Sequence, residues 1–137
     1  MLYAVRAMIQ FHLDARSGAP PYLQIVQQVK EALRLGLLDV GDQLPTVREV
    51  VAELAINPNT VAKAYRELEH AGLVEPQPGR GTFVCSTLAA PSLEHHEELL
   101  RGLRAWLEAA EAAGLDEESI RALVATTLRE ALRRRAA

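Results

Sequence analysis

The sequence of 137 residues has a single cysteine, Cys85, and no apolar run long enough to span a membrane. One cysteine excludes an internal disulfide framework and is typical of proteins from reducing compartments. The apolar stretch at residues 1–9 is interrupted by Arg6 and has no clear cleavage site for a secretory signal. It is also shorter than the roughly 18 residues of a membrane-spanning helix. We therefore expect a cytoplasmic protein with no membrane partner.

A basic excess is also missing, although it is the usual electrostatic mark of a nucleic-acid binder. The net charge is -3 at pH 7. Up to Cys85 there are eight basic against nine acidic residues, and from Ser86 onward seven against nine, so neither half is basic. Any binding of DNA must therefore depend on where the cations are placed.

What the sequence does contain is enough apolar material, 49%, for one modest core. Pro21 suits the first position of a helix whose apolar residues recur every three or four positions from Tyr22 to Leu33. In LPTVREVVAEL, Thr46 with Glu49 three residues later forms a capping box, which predicts a second helix.

A third helix follows the second almost at once. Asn57 is a good N-cap with Pro58 in the first turn, and the helix is expected to end near His70 to Gly72. So short a connection forces the two helices to cross steeply, as in a helix-turn-helix. The residues that a helical wheel turns inward are Val61, Ala64, Tyr65 and Leu68, and those on the opposite side are Asn59, Lys63, Arg66 and His70.

The outward residues of this third helix have the chemistry of base and phosphate readers. Asparagine can pair with adenine, and lysine can bond guanine or a phosphate. Asn57 and Thr60 lie near the N-terminus, where they can donate to the backbone of a duplex. Glu67 and Glu69 on the C-terminal half would be repelled, so only the first two turns should insert deeply. The alternative is an ordinary amphipathic helix whose polar face is only solvated.

Beyond Gly72 the pattern changes from helical to extended. LVEPQ and GTFVC flank Pro78 to Gly81, which predicts a short hairpin with Arg80 between two glycines at its tip. Glycines let a backbone approach a ligand closely, and an arginine so placed can enter a narrow minor groove. A plain tight turn explains the glycines but does not need the arginine. Three helices and a hairpin are the order of a winged helix-turn-helix.

After a linker at residues 86–92, the composition changes to Ala, Leu, Glu and Arg, which predicts two further helices. In the first, apolar positions from Leu93 to Ala110, including His96, step alternately by three and four, a heptad-like seam that packs against another helix. The second begins with Asp116 as its cap and ends in Arg133 to Arg135.

A lone two-helix hairpin cannot bury two apolar stripes, so we expect a second copy of the chain to cover them in a four-helix arrangement. Such a dimer would set the third helices of the two copies, which would read the DNA, about one duplex turn apart. Folding back of these helices onto the N-terminal domain is the alternative. The predicted dimerisation residues are Leu100, Leu103, Trp106, Leu107, Ile120, Leu123, Val124 and Leu128.

Four stretches resemble the winged-helix DNA-binding domain of GntR-family transcriptional regulators, particularly the short YtrA-like subfamily. They are RSGAPPYLQIVQQV, LPTVREVVAEL, INPNTVAKAYRELEHAGLVE and GRGTFV, in the family's order and with its gaps. The resemblance covers about Phe11 to Cys85. It implies a homodimer that binds a two-fold DNA operator, usually as a repressor.

The same resemblance implies contacts with DNA from Arg48 beside the groove, from the start of the third helix, and from the wing. The DNA-binding residues predicted from residue chemistry and resemblance together are Thr46, Arg48, Asn57, Asn59, Thr60, Lys63, Arg66, Gly79, Arg80, Gly81 and Thr82. The chain departs from the family in its wing, where Glu75 to Pro78 replaces residues that are often basic. Thr46 stands where serine is commoner, and the residues before Met8 have no counterpart, so Met1 and Met8 are both candidate start residues.

An enzyme is not expected. Fusions related to this family carry a large aminotransferase-like domain, which the roughly 50 residues after Cys85 cannot hold. No lysine follows Lys63 to form a Schiff base with pyridoxal phosphate. We predict no cofactor. We also predict no metal site, because His95 and His96 are neighbours that point about 100° apart on a helix. Cys85 is expected to be a small core residue, and Trp106 to pack at a helical contact or to line an effector pocket.

The sequence thus predicts a mainly α protein with a small β-hairpin. Its parts are an extension at 1–10, a winged helix-turn-helix at 11–85, a linker at 86–92 and a helical dimerisation hairpin at 93–137. The predicted function is a sequence-specific, DNA-binding transcriptional regulator, open to control by an effector that changes the angle between the two winged domains. The alternative is a protein-interaction module that uses the winged domain without DNA, which the acidic balance favours.

Overall fold

The computed structural model describes residues 9–88 and 96–136. Contacts divide the chain into two compact units, with the boundary between Leu93 and Glu94. The helices are α1 (Pro21–Arg34), α2 (Val47–Leu54) and α3 (Pro58–His70) in the first unit, and α4 (His96–Ala112) and α5 (Glu117–Ala136) in the second. The first unit also holds strands β1 (Val74–Gln77) and β2 (Gly81–Val84). Residues 1–8, 89–95 and 137, which include Leu93, His95 and both candidate start residues, lie outside the described residues.

Helix α1 begins at Pro21, as predicted, and forms the centre of the first unit. Its residues Ile25, Val29 and Leu33 are fully buried. Two glutamines of this helix fasten the preceding segment: the Gln24 side chain accepts from the Asp14 N–H at 2.8 Å, and the Gln28 side chain donates to the His12 carbonyl at 2.6 Å. Within the described ranges, none of the helices is both long and apolar enough to cross a membrane.

Helices α2 and α3 begin where their caps predict. The capping box of Thr46 and Glu49 is present, and the Asn57 side chain caps α3 by accepting from the Asn59 N–H at 2.8 Å. Ala55 closes α2 in the left-handed conformation, with a φ of 54°, which turns the chain sharply into α3. The inward residues predicted for α3, which are Val61, Ala64, Tyr65 and Leu68, are all buried.

The hairpin is antiparallel, with Val74 opposite Val84 and Gln77 opposite Gly81. An extended segment from before α2 lies along its second strand, and we call residues Gly41–Thr46 the anchor segment. Within it the Gly41 N–H donates to the Val84 carbonyl at 2.9 Å, and the Leu44 N–H donates to the Thr82 carbonyl at 2.9 Å. We call the hairpin from Val74 to Val84 the wing. It is attached by these bonds to the segment that enters α2.

Helix α3 is fastened to the same anchor segment through a buried side chain. The Tyr65 hydroxyl donates to the Pro45 carbonyl at 2.5 Å. Burial raises the pKa of the Tyr65 phenol well above its ordinary value, and the nearby carboxylates of Glu49 and Glu53 raise it further. Tyr65 therefore keeps its proton and its bond to Pro45 across the ordinary range of pH.

The expectation that Cys85 is a core residue is wrong. Its side chain is exposed, with Sγ 3.4 Å from the Gly72 carbonyl oxygen. Strand β2 ends one residue earlier, at the buried Val84, and side chains alternate between the faces of a strand. Cys85 therefore points away from the core that Val84 enters.

In the second unit, α5 begins after the predicted cap, Asp116, whose carboxylate accepts from the Ser119 N–H at 2.8 Å. Hydrogen bonds from the Ser119 hydroxyl and N–H lower the pKa of Asp116. Burial is concentrated near the turn: Ala110 is buried and Leu107, Leu115 and Ile120 are half-buried. No described residue of α5 is buried. A single copy therefore leaves most of the apolar surface of this unit in water.

The Tyr65 contact generates a stability prediction. Tyr65→Phe should lower the free energy of unfolding by about 1–2 kcal/mol, because it leaves a buried carbonyl without its donor. The folded pKa of Tyr65 lies above the unfolded value of about 10, so its contribution is complete below that pH and is lost as the pH rises further. Urea unfolding at pH 7 and between about pH 9 and 11 measures both effects.

Tyr22→Phe is the matched control for this prediction, since Tyr22 is only half-buried. The alkaline loss of stability should be smaller in Tyr65→Phe than in the wild type and should persist in Tyr22→Phe. If the free energy of unfolding fell equally with rising pH in the wild type and in Tyr65→Phe, the alkaline loss could not be assigned to Tyr65.

Candidate nucleic-acid interface

Helix α3 presents a polar face because its other side is buried in the core. Asn59, Lys63, Arg66 and His70 are exposed, and Thr60 is half-buried. The Asn57 side-chain oxygen caps the helix by accepting from the Asn59 N–H. The Asn57 amide nitrogen is the atom that can still donate to a ligand.

Lys63 rests on an aromatic ring of another helix. Its Nζ lies 4.0 Å from the centroid of the Tyr22 ring at the start of α1. Such a contact stabilises by about 0.5–1 kcal/mol at an exposed site, so it orders the lysine without holding it strongly. The sequence predicted only an inward, apolar role for Tyr22. A helical wheel treats each helix separately and cannot find a contact between two helices.

The start of α2 supplies a second polar group. The Thr46 hydroxyl accepts from the Glu49 N–H at 3.1 Å, and the Glu49 carboxylate accepts from the Thr46 N–H at 3.2 Å. Thr46 is therefore engaged as a helix cap. Arg48, in the first turn, is exposed.

The tip of the wing is a tight turn that only glycine forms without strain at two positions. Gly79 has a φ of 75° and Gly81 a φ of 128°. Arg80 between them is exposed, but its side chain lies back along the hairpin. Its guanidinium donates to the Gln77 side-chain oxygen at 2.7 Å and lies 5.0 Å from the centroid of the Phe83 ring. Thr82, the other predicted wing residue, is half-buried.

The anchor segment connects the elements that carry these residues. Its Pro45 carbonyl holds Tyr65 of α3, its Leu44 N–H holds Thr82 of β2, and its last residue, Thr46, caps α2. A further contact, which the sequence does not predict, joins it to the wing tip: the Gln43 side chain donates to the Arg80 carbonyl at 3.0 Å. The three predicted contact elements are thus attached to one short stretch of chain.

The charged residues of this surface differ along the length of α3. Glu67 is exposed and Glu69 half-buried on the C-terminal half of α3, whereas Lys63 and Arg66 lie closer to its start. An anion approaching the first two turns of α3 would meet Lys63, and one approaching the C-terminal half would meet Glu67 and Glu69 as well as Arg66. The arrangement fits a polyanion that contacts the start of α3 and not its end.

The residues predicted for dimerisation lie in the second unit, where most are accessible. The exposed fraction is 51% for Leu103, 38% for Trp106 and 56% for Leu128. Leu100, Leu123 and Val124 are also exposed, and Leu107 and Ile120 are half-buried. So many accessible apolar side chains on each of two helices are unusual for a chain that remains alone in water.

Comparison with known proteins gives one family. The sequence profile described as "Bacterial regulatory proteins, gntR family" matches residues 21–84. The chain is 40% identical over 114 residues to the HTH-type transcriptional repressor YtrA of Bacillus subtilis (strain 168), a match that covers 82% of this chain and 86% of that one.

Two solved structures are similar in both sequence and fold. A protein from Listeria monocytogenes EGD-e, described as a transcriptional antiterminator, is 31% identical with a TM-score of 0.55, over 87% of this chain and 90% of that chain. YtrA from Sulfolobus acidocaldarius, described as a GntR-family transcription factor, is 32% identical with a TM-score of 0.52, over 72% of this chain and 97% of that chain.

Proposed function

The chain belongs to the gntR family of bacterial regulatory proteins, and we propose that it represses transcription by binding a two-fold DNA operator as a homodimer. The observation that carries the proposal is the attachment of α3, the start of α2 and the wing to one anchor segment. Elements that are already fixed relative to one another can contact a duplex at the same time, with no further cost of ordering them. A regulator of transcription acts on chromosomal DNA, so we propose a cytoplasmic location.

In the proposed complex, α3 lies in the major groove with its N-terminal turns nearest the bases. Asn59 is exposed there and has the donor and acceptor that read an adenine edge. Arg66 is exposed on the same face one turn beyond this region, where its guanidinium can contact guanine or a phosphate. Lys63 leaves the Tyr22 ring to reach a base or a phosphate. Asn57 and Thr60 contact the backbone and set the register of the helix on the duplex.

Arg48 and the wing complete the proposed contact surface. Arg48 projects from the first turn of α2 and contacts the phosphate backbone beside the groove. Arg80 exchanges its contacts with Gln77 and Phe83 for the minor groove, where the negative potential is strongest when the groove is narrow. The two glycines beside it allow the backbone to approach closely.

The proposal predicts which cations matter. Lys63→Ala and Arg80→Ala should each weaken binding to a duplex selected by the wild-type chain from a random pool, by about tenfold or more. Wild-type affinity should also fall by about a hundredfold or more between about 50 and 200 mM salt. Each variant that loses a phosphate contact should reduce the slope of that dependence by about one. Fluorescence anisotropy titrations over this salt range measure all three.

Arg34→Ala is the matched control for the loss of a cation. Arg34 is exposed in the same unit, but at the opposite end of α1 from Tyr22. Its removal should leave affinity and salt slope close to wild type. Failure of the wild-type chain to select any duplex, together with capture of a protein partner through α3, would favour the protein-interaction module instead.

We propose the homodimer because of the uncovered surface of the second unit. Leu100, Leu103 and Leu128 are 44%, 51% and 56% exposed. Covering them would therefore gain roughly half of the 1.5–3 kcal/mol that full burial of an exposed leucine gives. The occupant we propose is a second copy of the chain. In a dimer with two-fold symmetry, the same apolar patch of each copy faces its counterpart, so each copy can cover the exposed leucines of the other. Two copies would also present two winged domains to the two halves of an operator.

A charge placed in this surface should separate the copies. Leu103→Glu should convert a dimer to a monomer at micromolar concentration, because burying an unpaired carboxylate is strongly unfavourable. Leu37→Glu is the control, since Leu37 in the first unit is already 73% exposed. Sedimentation equilibrium measures the mass, and a wild-type chain that is monomeric at these concentrations would exclude the dimer.

A further inference from the structure

The Gln43 side chain crosses from the anchor segment to the tip of the wing. Its Nε2 donates to the carbonyl of Arg80 at 3.0 Å, a contact between residues that are 37 positions apart in the chain. The main chain of Gln43 forms a β-bridge with Phe83 at the same time. Backbone and side chain of one residue therefore hold the second strand and the tip together.

The wing sequence is shaped to admit this amide. A Cβ atom at Gly81 would lie 2.5 Å from Gln43 Nε2, so any larger residue would push the amide away from the Arg80 carbonyl. By contrast, a Cβ at Gly79 would have nothing within 4 Å. Of the two glycines at the tip, Gly81 is the one whose missing side chain makes room for Gln43.

The position of Gln43 in the chain gives this contact its consequence. Three residues later, Thr46 caps α2, and Arg48 lies in the first turn of that helix. A two-stranded hairpin alone is only marginally ordered, so an unattached tip would sample many positions relative to α2. The Gln43 amide removes part of that freedom at the residue whose side chain is proposed to enter the minor groove.

We propose that Gln43 is a positioning residue of the DNA interface, which fixes the backbone of Arg80 relative to the start of α2. The inference rests on the proposed function and assigns Gln43 no contact with DNA of its own. The wing is then already ordered in the free chain, so no free energy is lost in ordering it when the duplex binds. Gln43 thereby couples the minor-groove contact of Arg80 to the backbone contact of Arg48.

A double-mutant cycle tests this coupling. Gln43→Met retains the length of the side chain but removes the donor, and it should weaken binding to the selected duplex by about three- to tenfold. Arg80→Ala should weaken binding strongly in the wild-type chain but by a smaller factor in Gln43→Met, because an unfixed arginine contributes less. The salt slope of Gln43→Met should equal that of the wild type, since no charged contact is lost.

Gln28→Ala is the matched control. Gln28 also binds a distant backbone carbonyl through its side chain, but that carbonyl belongs to His12 and not to the wing. It should lower the free energy of unfolding without changing the Arg80→Ala factor. A general loss of stability would act on both glutamine variants, whereas loss of positioning should change the Arg80→Ala factor in Gln43→Met alone.

The outcomes separate the two proposals. If the wild-type chain binds the selected duplex and Arg80→Ala weakens it, but Gln43→Met binds as the wild type does, the positioning role is overturned and the proposed function stands. Fully independent, multiplicative effects of Gln43→Met and Arg80→Ala would also overturn it, because they indicate separate contacts. A wild-type chain that selects no duplex overturns both.

Discussion

The anchor segment, Gly41–Thr46, is the constraint on which the rest of the first unit depends. It lies between β2 and α3, and each of its contacts faces a different element: Val84 and Thr82 of the wing, Tyr65 of α3, and the first turn of α2. Because one stretch of backbone satisfies all three, none of these elements can shift alone without breaking a hydrogen bond. The geometry of the interface follows from a few main-chain groups that do not themselves contact the ligand.

The helices could be predicted closely because their signals are local. Thr46 with Glu49 and Asn57 with Pro58 define helix starts within a few residues of sequence, and the structure has both caps. Similarly, Gly79 and Gly81 define the hairpin by the backbone angles that they permit. In each case the physical cause lies within one turn of the chain, where a sequence pattern can express it.

The contacts that organise the interface could not be predicted in this way. The bond from Gln43 to Arg80 and the contact of Lys63 with Tyr22 join residues that are far apart in the chain. They depend on how elements pack, and no local spacing encodes that. The error at Cys85 has a related cause, since its exposure depends on which face of β2 enters the core. The roles of the individual contact residues and of the apolar stripe in the second unit remain predictions.

The resting partners of the two central cations have a consequence for a chain whose net charge is -3. Lys63 lies against Tyr22, and Arg80 lies against Gln77 and Phe83, all of them uncharged groups. Movement of either cation onto the duplex would therefore break no ion pair with another described residue, and its whole charge would be available to displace counterions. An acidic protein can in this way obtain the entropic gain of counterion release although its net charge is negative.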